Sequence, residues 1–430
     1  MIAWLLISFF VLLFLGVPIA MSLGLSAIGG ILFLGGGSTV TIAQRMFEGM
    51  NSFALLAIPL YTFAGFTMSK GGISKRLMDF CYSIVGHIYG GLAHVNVLSS
   101  MIFAGISGSA VADTAGVSGM FMPEMVRKGY SKNFTVAVTA ISSTIGIIIP
   151  PSIPMVIYGV SGQQSISKMF MAGIVPGLLL GFGMCATCYI LSVKRHYPKR
   201  NTPPKWSHIW HATKEAIWAL IMVAIILFGI MGGIVTPTEA SIICVVYGLF
   251  VAVFIYRKMG PKEMYSCLRD TVSSASAIMA LVAFANVFAF ILTKEHIPSM
   301  IADAMLHLTT NKYLILLLIN LFLIFVGMFM ETIAAILILF PTLLAVATAV
   351  GVDPIHFGII VVMNLVLGLC TPPVGVCLFA ATNIGSRYGK CTLSDSVKAL
   401  VPLLIVNFGV LFLVTYVPFL TVGVANLVMG

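Results

Sequence analysis

Two short runs break otherwise continuous apolar stretches: GIIIPPSIP at 146–154 and GLCTPPVG at 368–375. A proline inside a helix removes one N–H and leaves the carbonyl four residues back without its partner. Pro150 therefore frees the carbonyl of Gly146, and Pro151 frees that of Ile147. In lipid such groups are tolerated only where they face protein or a cavity. Each break follows a run opened by a glycine, GISGSAVAD at 105–113 and GMFMETIAA at 327–335. Gly105 to Gly146 is 41 residues, and so is Gly327 to Gly368. Paired Gly/Pro-interrupted segments in corresponding places of two halves point to the binding site of a secondary transporter.

The composition agrees with a membrane setting. Hydrophobic residues are 60% and charged residues 8% of the 430, which excludes an ordinary soluble protein. The formal charge of +10 would suggest nucleic acid in a soluble chain. Here the basic residues lie between apolar spans and read as topology signals. They lack the interleaved aromatics of a nucleic-acid platform, so no nucleic-acid partner is expected. The eight cysteines lie mostly in apolar runs. Cys185 and Cys188 form a lone C-x-x-C with no second pair at zinc spacing, and read as packing residues. No metal beyond alkali ions is expected. The first residues lack a basic n-region and read as a membrane segment rather than a signal peptide.

A helix needs about 20 apolar residues to cross the hydrocarbon core. Residues 1–36 hold two crossings, the first short, followed by a polar break at 37–52. A third span covers 53–69. Residues 84–125 read as an approach helix and a re-entrant hairpin whose tip is Ser107–Ala110. A broken span at 133–160 and a further span at 170–193 complete the first half. The second half repeats the pattern, with spans at 216–235, 237–256 and 271–292. A hairpin within 313–350, a broken span at 357–382 and a last span at 400–420 follow. The expected fold is an all-α polytopic membrane protein of two repeats, each with five crossings and one hairpin. With the loop 194–214 in the cytoplasm, all of the 23 Lys and Arg except Arg45, Lys168, Lys294 and Lys312 fall inside. This puts both termini outside and inverts the second half relative to the first.

Helix N-termini carry free N–H groups and partial positive charge, while C-termini carry free carbonyls. A hairpin tip facing a broken helix gathers such ends near the midplane. The N-termini suit an anionic substrate and the carbonyls suit Na⁺. The first Na⁺ site is expected at Ser107 with the carbonyls of Gly146, Ile149 and Pro151. The second is expected at Gly327, Gly368, Thr371 and Val374. Ser109, Asp113 and Ser152 are the candidate substrate residues. Asp113 is a carboxylate at membrane depth, where such groups usually mark function; a water-exposed or hydrogen-bonded hairpin residue is the other reading. Ser109 either bonds substrate or closes the turn on its own backbone. Glu331 holds a comparable place in the second hairpin. Glu239, after Thr236, reads as a helix cap. The run 385–391 has one residue too few between its glycines for a phosphate loop, and Cys391 stands where Ser or Thr belongs. With no nucleophile–base pair or metal-ligand set at membrane depth, an enzyme is not expected.

The runs FALLAIPLYTFAG (53–65), GISGSAVADTAG, GIIIPPSIPMVIYG, AGIVPG (172–177), GMFMETIAAILILFP and TPPVG (371–375) occur in this order. Together they resemble the large membrane subunit of tripartite ATP-independent periplasmic (TRAP) transporters over nearly the whole chain. That resemblance implies a small four-helix membrane subunit, expected on a separate chain, and a periplasmic substrate-binding protein as partners. It implies import of an organic acid, sialic acid or a C4-dicarboxylate, across the bacterial inner membrane, driven by Na⁺. It places Ser107, Ser109 and Asp113 near the first Na⁺ and the substrate. It also implies an elevator fold like that of the divalent-anion/Na⁺ symporters. The scaffold would then be 1–69 and 216–292, and the transport domain 97–192 and 313–424. The stretch 70–96 would be arm and approach helices and 293–312 an arm or linker, with 193–215 a basic cytoplasmic loop. A stand-alone symporter of the same fold is the nearest rival. A channel is another, but it would need a continuous polar stripe.

Overall fold

The computed structural model describes residues 2–33, 38–107, 110–199, 206–389 and 391–429. Every regular element among them is helical. The first half opens with α1 (Ile2–Phe14), α2 (Ile19–Phe33), α3 (Thr39–Met50), α4 (Ala57–Lys70) and α5 (Ile73–Val85). A hairpin of α6 (Gly91–Ser107) and α7 (Ala110–Arg127) follows. Next come the broken helix α8 (Lys132–Ile145) and α9 (Ile153–Ser161), and the long α10 (Ile166–Lys194). The second half begins with α11 (Trp206–Met231), α12 (Pro237–Phe250), α13 (Pro261–Lys294) and α14 (Ile297–Leu308). It continues with the hairpin α15 (Lys312–Gly327) and α16 (Thr332–Ala349) and the broken helix α17 (Pro354–Gly368) and α18 (Val376–Gly385). It ends with α19 (Leu393–Tyr416) and the short α20 (Val422–Met429). Among the described residues, seven helices are long and apolar enough to cross a bilayer. The chain is a multi-pass membrane protein.

Both hairpins and both breaks lie where the sequence puts them. Differences arise where charge and helix part company. The polar break at 37–52 contains α3, capped by Ser38, whose Oγ accepts from the Val40 N–H at 3.1 Å. The stretch 293–312 contains the short helix α14. The basic loop is shorter than read, because α11 begins at Trp206. Likewise α13 starts at Pro261, ten residues before the expected span, since Lys262, Glu263, Arg269 and Asp270 extend the helix beyond its apolar part.

One group of helices forms a wall. Here α13 packs on α2, α3 and α4, and α4 packs on α12. Lys70 Nζ donates to Asp270 Oδ2 and to Ser266 Oγ, tying α4 to α13. Tyr61 Oη donates to the Pro237 carbonyl at 2.9 Å, tying α4 to α12. Gly24 lets α2 approach α13; a Cβ there would lie 2.5 Å from the Phe284 ring.

The other group is built around the broken helices. All residues of α8 from Phe134 to Ile145, and all of α17 from His356 to Gly368, are buried. Helices buried on every side lie in the centre of a bundle. Thr139 and Ser142 of α8 and Asn364 of α17 pair with the hairpins. Asn96 Nδ2 on α6 donates to Thr139 Oγ1 at 2.8 Å, and Ser142 Oγ donates to Asn96 Oδ1 at 2.9 Å. In the second half Asn364 Nδ2 donates to Asn320 Oδ1 at 2.7 Å, and Asn320 Nδ2 donates to Thr415 Oγ1 at 3.1 Å. Leaving a buried polar group without its partner costs about 1–3 kcal/mol. Asn364→Ala strips the donor from Asn320, so the purified protein should melt at a clearly lower temperature than the parent. An unchanged melting temperature would show that this pair does not hold hairpin and broken helix together.

Candidate functional site

At the first break the N–H groups of Ile148 and Ile149 both return to the Ile145 carbonyl, at 2.9 and 3.1 Å. The Gly146 carbonyl therefore receives neither of them, and Pro150 has no N–H to give it. The second break differs. The Thr371 N–H donates to the Gly368 carbonyl at 2.8 Å, so one of that oxygen's lone pairs is used. Both Pro–Pro bonds, Pro150–Pro151 and Pro372–Pro373, are cis. The chain resumes as helix at Ser152, whose Oγ accepts from the Met155 N–H at 3.4 Å, and at Gly375, whose φ of +54° suits glycine.

The second hairpin sits directly on the second break. Gly327 and Gly368 meet backbone to backbone: a Cβ on Gly368 would lie 2.6 Å from the Cα and carbonyl carbon of Gly327. The Gly375 N–H donates to the Met328 carbonyl at 3.3 Å. Thr371 is buried with its hydroxyl turned back to the Leu367 carbonyl at 2.9 Å, while Val374 is exposed. The structure thus brings together Gly327 and Gly368, places Thr371 on the same break, and sets Val374 at its outer end. In the first set, Gly146, Ile149 and Pro151 share one break and Ser107 ends α6. Ser109 lies outside the described residues.

Asp113, on the first turn of α7, faces a cavity of about 430 Å³. That is within the range of about 300–1,000 Å³ usual for small-molecule sites. Glu331, the N-cap of α16, lines the same cavity. Its Oε2 accepts from the N–H groups of Ile333 and Ala334 at 2.8 and 3.3 Å. The tips of both hairpins therefore present a carboxylate to one space. Ile153 of α9 adds to this wall, with Ser152 buried beside it.

The opposite wall comes from α4 and α13, through Thr62, Phe66 and Ser69 on the first and Ser274, Ile278 and Leu281 on the second. Sequence reading missed this wall. A signal exists, for Thr62, Phe66 and Ser69 recur at helical spacing and share one face. Among the described lining residues there are two carboxylates and no lysine or arginine. An ionised carboxylate in such a space repels an anion and attracts a cation. The Gly146 carbonyl, which receives neither N–H at its break, is a hard oxygen donor suited to an alkali ion.

Broken helices, paired hairpins and a cavity between two helical walls define a secondary-transport permease. Residues 6–420 match the family model described as "Tripartite ATP-independent periplasmic transporter, DctM component". The chain belongs to that family. It is 42% identical over 410 residues to the isethionate TRAP transporter permease protein DctMQ of Oleidesulfovibrio alaskensis, covering 95% of this chain and 64% of that protein. It is 38% identical to the C4-dicarboxylate large permease protein DctM of Vibrio cholerae, covering 97% of this chain and 96% of that protein. It is also 38% identical to the sialic acid large permease protein SiaM of Vibrio cholerae, covering 97% of each. Among solved structures, the YdaH transporter of Alcanivorax borkumensis superposes with a TM-score of 0.65 at 13% identity, over 87% of this chain and 86% of that one. The shared feature there is the fold.

Proposed function

We propose that this protein imports a small organic acid anion across the bacterial inner membrane, driven by a Na⁺ gradient. The observation behind this is the acid-lined cavity between the hairpin tips and the α4–α13 wall, flanked by breaks whose carbonyls suit Na⁺. One Na⁺ would sit at Ser107, Gly146, Ile149 and Pro151, and a second at Gly327, Gly368, Thr371 and Val374. The Gly146 carbonyl is the better donor of the two break glycines, because the Gly368 carbonyl already accepts from Thr371. Substrate would contact Ser109, Asp113 and Ser152 from the hairpin side.

The halves would be inverted repeats with both termini periplasmic. The α4–α13 wall would stay fixed while the hairpins and broken helices move past it as an elevator. A periplasmic binding protein would deliver substrate, and a small membrane subunit would brace the fixed wall. Sialic acid is the favoured substrate on sequence, with C4-dicarboxylates next. The relative named for sialic acid stands no nearer by identity than those named for isethionate and C4-dicarboxylates, so the reading extends to small organic acid anions generally.

The test is uptake into proteoliposomes containing the protein with its small subunit, fed by the binding protein and without ATP. N-acetylneuraminate, succinate and isethionate are offered in turn under an inward Na⁺ gradient. One of them should accumulate with Na⁺ outside and stay at the leak level with K⁺ alone. Equal uptake in K⁺ buffer would contradict Na⁺ coupling.

A further inference from the structure

A second, smaller cavity of about 140 Å³ lies at the charged end of the first hairpin, away from the transport site. It is lined by Tyr82 of α5, by Gly91 and Leu92 at the start of α6, by Lys128 and Tyr130 just beyond α7, and by Pro198 and Lys199 after α10. We infer that it binds a phosphate-bearing anion: the headgroup of an anionic phospholipid, or free phosphate of the same chemistry.

Two ammonium groups serve this cavity, and both rest on aromatic rings. Lys128 Nζ lies 4.7 Å from the Tyr82 ring centroid, and Lys199 Nζ lies 4.6 Å from that of Tyr89. A cation over a ring face keeps its N–H groups available for an anion. Lys128 also donates to Tyr82 Oη at 2.9 Å, which leaves that hydroxyl's own proton for a ligand oxygen. The nearby carboxylate, Glu124, is 3.5 Å from Lys128 Nζ but is held by Arg127 at 2.6 Å. Arg127, Lys128 and Lys199 therefore outweigh it, and the positive end of α6 adds to the surplus.

The size suits one small charged group; sites for drug-sized ligands begin at about 300 Å³. The walls are set by the backbone. Tyr130 Oη accepts from the Leu92 N–H at 3.4 Å and donates to the Pro198 carbonyl at 3.3 Å, joining three separate segments. Gly90, at φ +72°, brings the turn against Ser192, where a Cβ would lie 1.9 Å from the hydroxyl oxygen. Lys194 and Arg195 at the end of α10 and Arg127 at the end of α7 mark this level as the membrane edge. Basic pockets between helices at that level take phospholipid headgroups. A headgroup held here ties the turn between α5 and α6 to the ends of α7 and α10.

The test uses purified full-length protein and needs no transport assay. Melting temperature is followed during titration with short-chain phosphatidylglycerol, short-chain phosphatidylcholine and sodium phosphate. Phosphatidylglycerol should raise it in the parent and in K128R/K199R, but not in K128Q/K199Q or in K199Q, a change at an exposed side chain. Phosphatidylcholine, whose phosphate carries its own cation, should act on none of them. If sodium phosphate gives the same lysine-dependent rise, the site takes free phosphate; if it does not, it takes the lipid. No rise in the parent from either anion, or an equal rise in the glutamine variants, would overturn the inference.

Discussion

Gly368→Ala is expected to abolish uptake. The added methyl group would lie 2.6 Å from backbone carbons of Gly327, and backbone cannot turn aside as a side chain can. Overpacking a fitted contact costs about 1–3 kcal/mol, so much of the protein should still fold. What changes is the seat of the second hairpin on the second break. A displacement of ~1 Å in a binding constellation is enough to cost about 10²-fold in rate. Gly409→Ala is the matched control, since a Cβ there meets nothing within 4 Å, and its uptake should equal the parent's. Normal uptake by Gly368→Ala would mean that the Gly327–Gly368 contact is dispensable.

Asp113→Asn should change the Na⁺ dependence more than the yield of folded protein. Asp113 is buried and faces the cavity shared with Glu331. Its negative charge opposes an anionic substrate and favours a cation. If it serves Na⁺, removing the charge raises the half-saturating Na⁺ concentration by about tenfold, equivalent to ~1.4 kcal/mol. If it acts on substrate alone, removing it lowers the half-saturating substrate concentration and leaves that for Na⁺ unchanged. Uptake at graded Na⁺ and fixed substrate, then the reverse, separates the two. The second outcome would leave the first Na⁺ site to Ser107 and the carbonyls of Gly146, Ile149 and Pro151, without help from Asp113.

The pair of broken helices was legible in the sequence because it is written in residue types that helices avoid. Tandem prolines after a glycine, twice at one spacing, place both breaks without any knowledge of packing. The short helices α3 and α14 were not, since polar residues between spans look the same in a loop as in a surface helix. The length of α13 was hidden for a related reason: its first residues are charged, and hydropathy marks the end of lipid rather than the end of helix.

The site was only half visible. Asp113 and Glu331 stand out as carboxylates in apolar surroundings. That they share one cavity depends on how two hairpins meet, and no spacing records it. Thr62, Ser69 and Ser274 form the facing wall through tertiary contact between halves of the chain. The role of Gly327 and Gly368 was also hidden, because a glycine read as a helix break looks the same as one read as a point of close approach. Backbone carbonyls carry no side-chain signature, so the difference between Gly146 and Gly368 as donors emerges only from where the Ile149 and Thr371 N–H groups go.

In the proposed mechanism the hairpin wall of the cavity moves against the α4–α13 wall. Met120 on α7 and Ile278 on α13 face the cavity from opposite sides. With the native cysteines replaced and uptake retained, a cysteine pair at these two positions is bridged by a short thiol crosslinker in proteoliposomes. A second pair, at Thr67 of α4 and Gly248 of α12 on the α4–α13 side, is bridged in parallel. Crosslinking the first pair should stop uptake, and reduction should restore it, while crosslinking the second leaves uptake unchanged. Full uptake through a protein bridged between positions 120 and 278 would contradict the claim.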